Sequence, residues 1–263
     1  MPEAVRVLAN EWRQCGVKQG DVLLLHSAVS RTLRRLVRYG RKPDVNDILA
    51  SFMAALGDSG TLLLPLFNFD FSAGVPFDIR TTPSKMGALT EAGRLHADAV
   101  RTGHPIYSFA AIGAHADQFR GVTNYSGYGA DSPFGILHRL GGSIAILDLS
   151  EQESMTFYHY VEEALDVPYR YHKAFEGDYT DDQGCTSRRA FGLFVRDLDR
   201  GIETAVDPMG ERLWEMGLYT GCRHGQGAGL RVIEANAVYD ATAGVIRAGQ
   251  AHGLLYTTEP QSS

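Results

Sequence analysis

The runs V-L-L-L, residues 22–25, and T-L-L-L-P-L-F, residues 61–67, decide the fold. Both are short and continuously apolar, as strands buried on both faces of a sheet are. Between them, residues 47–56 carry apolar side chains at helical spacing, and Gly57 and Gly60 end that helix before the second run. The segment is therefore predicted to form a strand, a helix and a second strand.

The same alternation extends in both directions along the chain. We predict helices over 2–15, 86–95, 133–140 and 155–165, strands over 106–112 and 143–149, and a loop over 68–83. Strands that alternate with helices are typical of α/β proteins, whose sheets carry helices on their faces. The predicted fold class is a layered α/β/α sandwich.

The C-terminal third changes character. Residues 169–197 are aromatic and β-branched around the turn D-D-Q-G at 181–184, which predicts an antiparallel strand pair as an appendage. A helix over 207–216 and a strand running into a final helix within 230–249 follow. No segment resembles a linker or a repeat, so residues 1–263 are predicted to form one domain.

Composition excludes several classes of protein. With 44% hydrophobic and 21% charged residues among 263, the chain should fold as a globule. A net charge of −6 argues against a nucleic-acid binder, which needs a basic surface. No stretch is typical of a signal peptide or a membrane span, so we expect a cytoplasmic protein. The cysteines Cys15, Cys185 and Cys222 show no C-x-x-C pattern, and no metal site is predicted.

The segment S-M-T-F-Y-H-Y-V-E-E, residues 154–163, carries the most informative chemistry. His159 and Glu162 are three residues apart and would share one face of a helix. A neutral imidazole backed by a carboxylate can remove a proton from an aliphatic amine, whose pKa in solution is roughly 10. From spacing alone, a polar pair without a catalytic role remains open.

A second polar segment is R-T-G-H-P-I-Y-S-F, residues 101–109. His104 precedes a proline in a loop that enters an apolar strand, and Ser108 follows four residues later. Histidines in such loops often line sites. A histidine that only hydrogen-bonds the turn is the alternative.

A third polar segment follows the first apolar run. His26, Ser27 and Ser30 stand where α/β proteins bind ligands, and backbone amides there could meet phosphate oxygens. Six cations follow within residues 31–42 and could contact the phosphates of coenzyme A. A solvated helix face explains them equally well.

Six stretches together resemble the aminoglycoside 3-N-acetyltransferase family. They are HSAVS, GTLLLPLFNFDF, TPSKMGALTEAGR, RTGHPIYSF, DSPFGIL and TFYHYVEE, which occur in the family's order and approximate spacing within residues 4–170. The resemblance implies an α/β fold distinct from the GNAT acetyltransferases. It also implies acetyl-CoA as donor, direct acetyl transfer to an amine, and no metal.

Roles follow from the matching motifs. His159 and Glu162 fall on the family's H-x-x-E element, which is associated with catalysis. His104 and Ser108 fall on its R-S-x-H-P-x-x-S element beside the active site, as further catalytic candidates. The residues that resemble the family's coenzyme-binding walls are His26, Ser27 and Ser30 of HSAVS, with Ser84, Met86 and Gly87 of TPSKMG.

Departures from the family's pattern leave the identity of the acceptor open. Ala28 and Thr102 stand where the family commonly has serine, and the Arg-rich segment 31–42 is unusual. Asp70 and Asp78 lie in a loop after a strand, where specificity residues concentrate, and could hold ammonium groups. We expect an amino sugar of a polysaccharide or natural product, then an aminoglycoside, with antibiotic resistance as the consequence, then a small amine.

Other classes of function remain as alternatives. A Ser-His-acid hydrolase would share acyl transfer, but no G-x-S-x-G motif is present. A cysteine nucleophile and a scaffold that binds coenzyme A without turnover are the others. The segment R-H-G-Q-G-A-G, residues 223–229, has neither the GNAT nor the dinucleotide spacing and is interpreted as a flexible loop. The oligomeric state is left open, with a homodimer as one option.

Overall fold

A computed structural model describes residues 1–37 and 44–258 of the chain. Its helices are α1 (Glu3–Gln14), α2 (Ser30–Val37), α3 (Val45–Leu56), α4 (Ala88–Arg94), α5 (Pro133–Arg139), α6 (Phe157–Ala164), α7 (Asp207–Glu215) and α8 (Ala235–Arg247). Its strands are β1 (Val22–Ser27), β2 (Thr61–Pro65), β3 (Phe77–Asp78), β4 (Val100–Arg101), β5 (Phe109–Gly113), β6 (Ser143–Leu147), β7 (Arg170–Thr180), β8 (Thr186–Arg196), β9 (Ile202–Thr204), β10 (Thr220–Gly221), β11 (Leu230–Glu234) and β12 (Tyr256–Thr258). Within these ranges, no helix is long and apolar enough to cross a membrane.

A seven-stranded sheet in the order β10-β11-β6-β1-β2-β5-β4 forms the centre. Strand β1 pairs in parallel with both β2 and β6, so the carboxyl ends of these three strands meet at one edge. The outer pairs β2 with β5, β4 with β5, β6 with β11 and β10 with β11 are antiparallel. The sheet is therefore mixed, with a parallel centre that directs the ends of β1, β2 and β6 toward the same side.

Helices cover both faces of this sheet. Leu23 and Leu25 of β1 belong to the core that α1 and α3 close, whereas Val22 and Leu24 point into the core that α5, α6 and α8 close. The alternation follows from the period of two along a strand. The predicted α/β/α sandwich is confirmed.

The predicted appendage is also present. Strands β7 and β8 pair antiparallel along their whole length, from Arg170 opposite Arg196 to Thr180 opposite Thr186, and β3 joins β7. The turn falls at residues 181–185, on the D-D-Q-G sequence. A further pair, β9 with β12, was not predicted.

Two element boundaries differ from the prediction for local reasons. The backbone amides of Ile106 and Tyr107 donate to Nδ1 of His104, at 3.2 and 3.0 Å, so β5 begins only at Phe109. Helix α4 begins at Ala88 because Gly87 has φ of 109°, which is not helical.

The N-terminal helix α1 is fastened to α3 through Trp12. Its ring is fully buried and stacks on Phe52 with 4.8 Å between ring centroids, and its Nε1 donates to Ser51 Oγ at 2.7 Å. Replacing Trp12 by Ala should lower the free energy of unfolding by about 3–5 kcal/mol, because it removes both contacts and leaves a cavity. Trp12→Phe keeps the stack and should cost clearly less, and urea denaturation measures both. Equal stability of Trp12→Ala and the wild type would contradict this account.

Candidate active site

His159 and Glu162 form a pair on helix α6, as their spacing predicts. His159 Nδ1 lies 2.8 Å from Glu162 Oε2. The ring of Tyr128 packs edge-on against the imidazole at 5.2 Å between centroids. The imidazole is thus held by a hydrogen bond to Glu162 on one side and by the ring of Tyr128 on another.

Glu162 stays charged although it is buried, because two partners stabilise its negative charge. Its side chain is 1% exposed, and Arg170 Nε at the start of β7 lies 2.7 Å from Oε2. Burial alone would raise the pKa of Glu162, but Arg170 and His159 outweigh it and the net shift is downward. An ionised Glu162 must accept the hydrogen bond, so His159 carries its proton on Nδ1 and leaves Nε2 as an acceptor.

The imidazole of His159 is neutral near pH 7. Burial lowers its pKa below the ordinary value of 6.5 and Arg170 lowers it further, while Glu162 acts in the opposite direction. With Gln152, Glu153, Ser154, Met155, Thr156, Thr204 and Val206, His159 lines a cavity of about 70 Å³. A neutral base that faces a cavity can accept a proton from a bound substrate.

His104 and Ser108 lie in the protein interior and do not join this pair. Both side chains are 0% exposed. His104 Nδ1 accepts two backbone amides and Nε2 lies 3.3 Å from the carbonyl oxygen of Gly192, so the ring is held neutral. Burial lowers its pKa to about 4. These contacts shape the loop, which is the alternative that the sequence left open, and a catalytic role of His104 stays a prediction.

Ser108 accepts a hydrogen bond from Arg101 Nη2 at 3.3 Å. The same guanidinium donates to the carbonyl oxygens of Ile79 and Thr82 through Nη1, at 2.9 and 2.6 Å. Ser108 therefore helps to anchor the chain that leads into the TPSKMG segment.

The predicted donor residues line two neighbouring segments at the carboxyl edge of the sheet. Ser30 is exposed at the first turn of α2 and Ser27 is half-buried, but His26 is only 2% exposed. Burial, with Arg231 adding to it, lowers the pKa of His26 to about 4. His26 thus lies behind the surface that a coenzyme could touch.

The TPSKMG segment is ordered by its own hydroxyl groups. Ser84 Oγ accepts from the amide of Met86 at 3.1 Å and lies 2.8 Å from Thr90 Oγ1. Gly87 is exposed and Met86 half-buried. The segment presents backbone and a thioether at the surface.

Asp70 and Asp78 already have cationic partners within the chain. Asp70 Oδ1 lies 2.5 Å from Lys85 Nζ, and both oxygens of Asp78 accept from Arg80, at 3.0 and 2.8 Å. The hydrogen bond from Arg80 lowers the pKa of Asp78 to about 2. Both carboxylates thus have cationic partners within the chain, and their role in holding the acceptor's ammonium groups stays a prediction.

A buried ionic network beside β6 was not found from the sequence. Glu151 Oε1 accepts from the hydroxyls of Tyr158 and Tyr219, at 2.7 and 2.9 Å, and Oε2 accepts from Arg231 Nη2 at 3.2 Å. Glu151 and Arg231 also line a cavity of about 330 Å³ on the side of α7. Their partners are far apart in sequence, so spacing gave no signal.

Two carboxylates near these cavities have no lysine or arginine partner among the described residues. Glu153 lines the cavity of His159, and its Oε2 accepts only from the amide and hydroxyl of Ser150. Asp207 lines the larger cavity and accepts from the amide of Gln152 at 2.8 Å. These carboxylates are available to a cationic ligand.

The Arg-rich segment is partly engaged in structural contacts. Arg31 pairs with Asp148 at 3.1 Å, and Arg35 pairs with Glu11 at 2.5 Å. Residues 38–42 of the segment lie outside the described part. For Arg31 and Arg35, the structural explanation therefore holds.

The segment 223–229 is anchored at two of its glycines. Arg31 Nη2 donates to the carbonyl oxygen of Gly227 at 2.6 Å, and the amide of Gly225 donates to Asp148 Oδ1 at 3.3 Å. The segment is a loop that these contacts restrain, and its flexibility stays a prediction.

No cysteine lines the cavity of His159. Cys15 is buried and burial raises its pKa to about 12, with Cys222 as the next cause, so its thiol stays protonated. Cys185 is exposed in the hairpin turn. A thiolate nucleophile has no support in this geometry.

The structure is a mixed α/β sandwich that carries a His159–Glu162 pair, and comparison with known proteins gives its family. A model of the aminoglycoside 3-N-acetyltransferase family matches residues 24–246. The chain belongs to this family.

Individual relatives are distant. Aminoglycoside N(3)-acetyltransferase VII of Streptomyces paromomycinus is 26% identical over 184 residues, which cover 61% of this chain. The match spans 60% of that relative's length.

Solved structures of similar fold cover nearly the whole chain. A binary complex of AAC-IIIb with CoASH is 23% identical, with a TM-score of 0.76 over 93% of this chain and 96% of that one. Aminoglycoside acetyltransferase AAC(3)-Xa is 21% identical, with a TM-score of 0.77 over 94% and 93%. AAC-VIa bound to sisomicin is 18% identical, with a TM-score of 0.76 over 96% and 100%. They confirm the predicted fold type.

Arg170 should set the pKa of His159. The positive charge of Arg170 lowers the pKa of His159, so Arg170→Met should raise that pKa. As the pH falls, the imidazole of the variant should become protonated at a higher pH than in the wild type. Titration of the His159 ring by NMR measures the shift. Arg170→Lys retains the charge and serves as the control. An unchanged pKa in folded Arg170→Met would contradict this role.

Proposed function

We propose that the protein is an acetyl-CoA-dependent N-acetyltransferase that acts on an amine of a polycationic amino sugar. The observation that carries the proposal is the geometry of His159, whose Nδ1 is fixed by a buried, ionised Glu162 and whose side chain lines a cavity. Family membership and the coenzyme named with AAC-IIIb support acetyl-CoA as the donor. Acetyl-CoA is a cytoplasmic metabolite, which favours the same location for this protein.

His159 acts as the general base in a direct transfer. The amine nitrogen attacks the thioester carbonyl carbon, a C–N bond forms, and the carbonyl electron pair moves to oxygen. His159 Nε2 accepts the proton that the nitrogen loses. The tetrahedral intermediate collapses, the C–S bond breaks, and the imidazolium returns the proton to the thiolate of coenzyme A. Glu162 stabilises the transient imidazolium, as the carboxylate of a catalytic triad does.

We propose that the donor binds at the HSAVS and TPSKMG segments. We place the coenzyme along Ser27 and Ser30 of the first segment and along Ser84, Met86 and Gly87 of the second. Their partial exposure permits contact. The resemblance of both segments to the family's coenzyme walls supports the assignment.

Free carboxylates define the acceptor side. Glu153 stands in the cavity of His159 and Asp207 in the adjacent larger one, and both are exposed. Two carboxylates without cationic partners attract a ligand that carries several ammonium groups. Sisomicin, which occupies AAC-VIa, supports an aminoglycoside as one acceptor. Resistance to such an antibiotic would follow.

The hydrolase alternative lacks a nucleophile beside the base. Ser154 and Thr156 line the same cavity as His159, but their hydroxyls donate to the backbone carbonyls of Ser150 and Ser154. A binding protein without turnover would not need an ionised Glu162 behind a neutral base. Direct acetyl transfer is therefore the function that the geometry supports best.

Removal of the base should abolish turnover while leaving the donor site intact. His159→Gln and Glu162→Gln should each lower kcat by about 10² to 10⁴, the usual contribution of a general base. Release of the coenzyme A thiol measures kcat with a panel of amino sugars, aminoglycosides and small amines. Calorimetry with acetyl-CoA should give unchanged affinity. Turnover like that of the wild type in a folded His159→Gln would defeat the assignment.

Glu153 should contribute to acceptor binding and not to chemistry. Glu153→Gln should raise the KM of a polycationic acceptor about 2–5-fold at unchanged kcat, the range of a solvent-exposed ion pair. The KM of a monoamine should change less, because it offers no second ammonium group. Glu3→Gln, which removes the same charge from an exposed position of α1, is the matched control. If Glu153→Gln and Glu3→Gln had the same KM for the polycationic acceptor, Glu153 would not be part of the acceptor site.

A further inference from the structure

A cavity of about 500 Å³ opens beside β4, at the edge of the sheet away from the α7 cavity. Five arginines line it, namely Arg80, Arg94, Arg101, Arg120 and Arg189, against two acidic residues, Asp181 and Asp182. Strand β4 lies five strand spacings, or about 24 Å, from β11. Strand β11 carries Arg231, which lines the α7 cavity. We propose that this arginine cavity binds a phosphate-bearing small molecule.

Arg101 gives the cavity a buried positive charge without a carboxylate partner among the described residues. Its Nη1 and Nη2 donate to backbone carbonyls and to Ser108, and its buried Nε has no partner. Burial lowers the pKa of Arg101 to about 10, and Arg94 contributes in the same direction. An unpaired buried charge is costly, so an anion bound here would stabilise the protein.

Arg80 and Arg120 retain donors that can reach a ligand. Asp78 accepts from Nε and Nη2 of Arg80, and Asp117 accepts from the same two atoms of Arg120. Neither carboxylate lines the cavity, and in both arginines Nη1 has no partner within the described chain. Guanidinium groups with free N–H donors suit the oxygens of a phosphate.

Aromatic rings hold two of the arginines in place. The guanidinium of Arg189 stacks over the ring of Tyr179, 4.6 Å from its centroid. Arg189 Nη2 also lies 3.6 Å from Asp181 Oδ2. Arg101 lies over the ring of Phe77 at 5.0 Å, and Phe77 stacks on Tyr179. The guanidinium planes are thus positioned before a ligand binds, which reduces the ordering cost.

The cavity favours a small multivalent anion over a nucleic acid. Five arginines line one open cavity, and the chain as a whole has a net charge of −6. A nucleic acid would need an extended basic surface. A phosphate group offers enough oxygens to engage several arginines at once.

Calorimetry with pyrophosphate tests the proposal. The wild type should bind, and the double variant Arg120→Gln with Arg189→Gln should weaken binding by about 10-fold or more, since each lost charged hydrogen bond can cost a factor of that order. Both side chains are at least partly exposed, so the variant should fold. Arg6→Gln, which removes one exposed charge from α1, is the control.

Repeating the titration with saturating coenzyme A identifies the source of the phosphate. Loss of pyrophosphate binding would mean that the arginine cavity takes the coenzyme's own phosphates, and unchanged binding would mean a separate phosphate ligand. Both results support the cavity as a phosphate site. No binding to the wild type, or equal binding by the double variant and Arg6→Gln, would overturn it. These titrations measure binding alone, so their outcome does not depend on whether the protein transfers acetyl groups.

Discussion

The carboxylate of Glu162 is the group on which the arrangement around His159 depends. It is 1% exposed and accepts from His159 on its own helix while it pairs with Arg170 at the start of β7. A buried carboxylate without such partners would take up a proton. Because both partners are present, it stays ionised, and one charge fixes the tautomer of the base and joins α6 to the hairpin.

The parts of this structure that sequence could predict are those set by local periodicity. The H-x-x-E spacing placed His159 and Glu162 on one face of a helix, and the apolar runs predicted the α/β/α layers. The D-D-Q-G turn among aromatic and β-branched residues predicted the β7–β8 hairpin. Arg170 was missed because its position depends on a turn at Asp166, which has φ of 47°, and on the direction in which β7 leaves α6. No spacing rule predicts that direction.

Partners within the chain distinguish the other predicted site residues from the His159–Glu162 pair. Asp78 is occupied by Arg80 only two residues later, a pairing that the sequence could have suggested, whereas Lys85 reaches Asp70 across a loop whose shape was unknown. His104 showed the ambiguity of a single histidine before a proline: both of its nitrogens serve the backbone. The uneven distribution of charge, with free carboxylates beside α7 and arginines beside β4, is hidden in a modest net charge of −6.

Direct transfer by a neutral His159 is the central claim, and product analysis after incubation with acetyl-CoA and a polycationic amino sugar tests it most directly. Mass spectrometry of the acceptor and of the protein, together with thiol measurement, follows the acetyl group. The account predicts one acetylated amine for each thiol released and no acetyl group on the protein. Thiol release without acetylated amine, or an acetylated protein that passes its group to the amine, would contradict it.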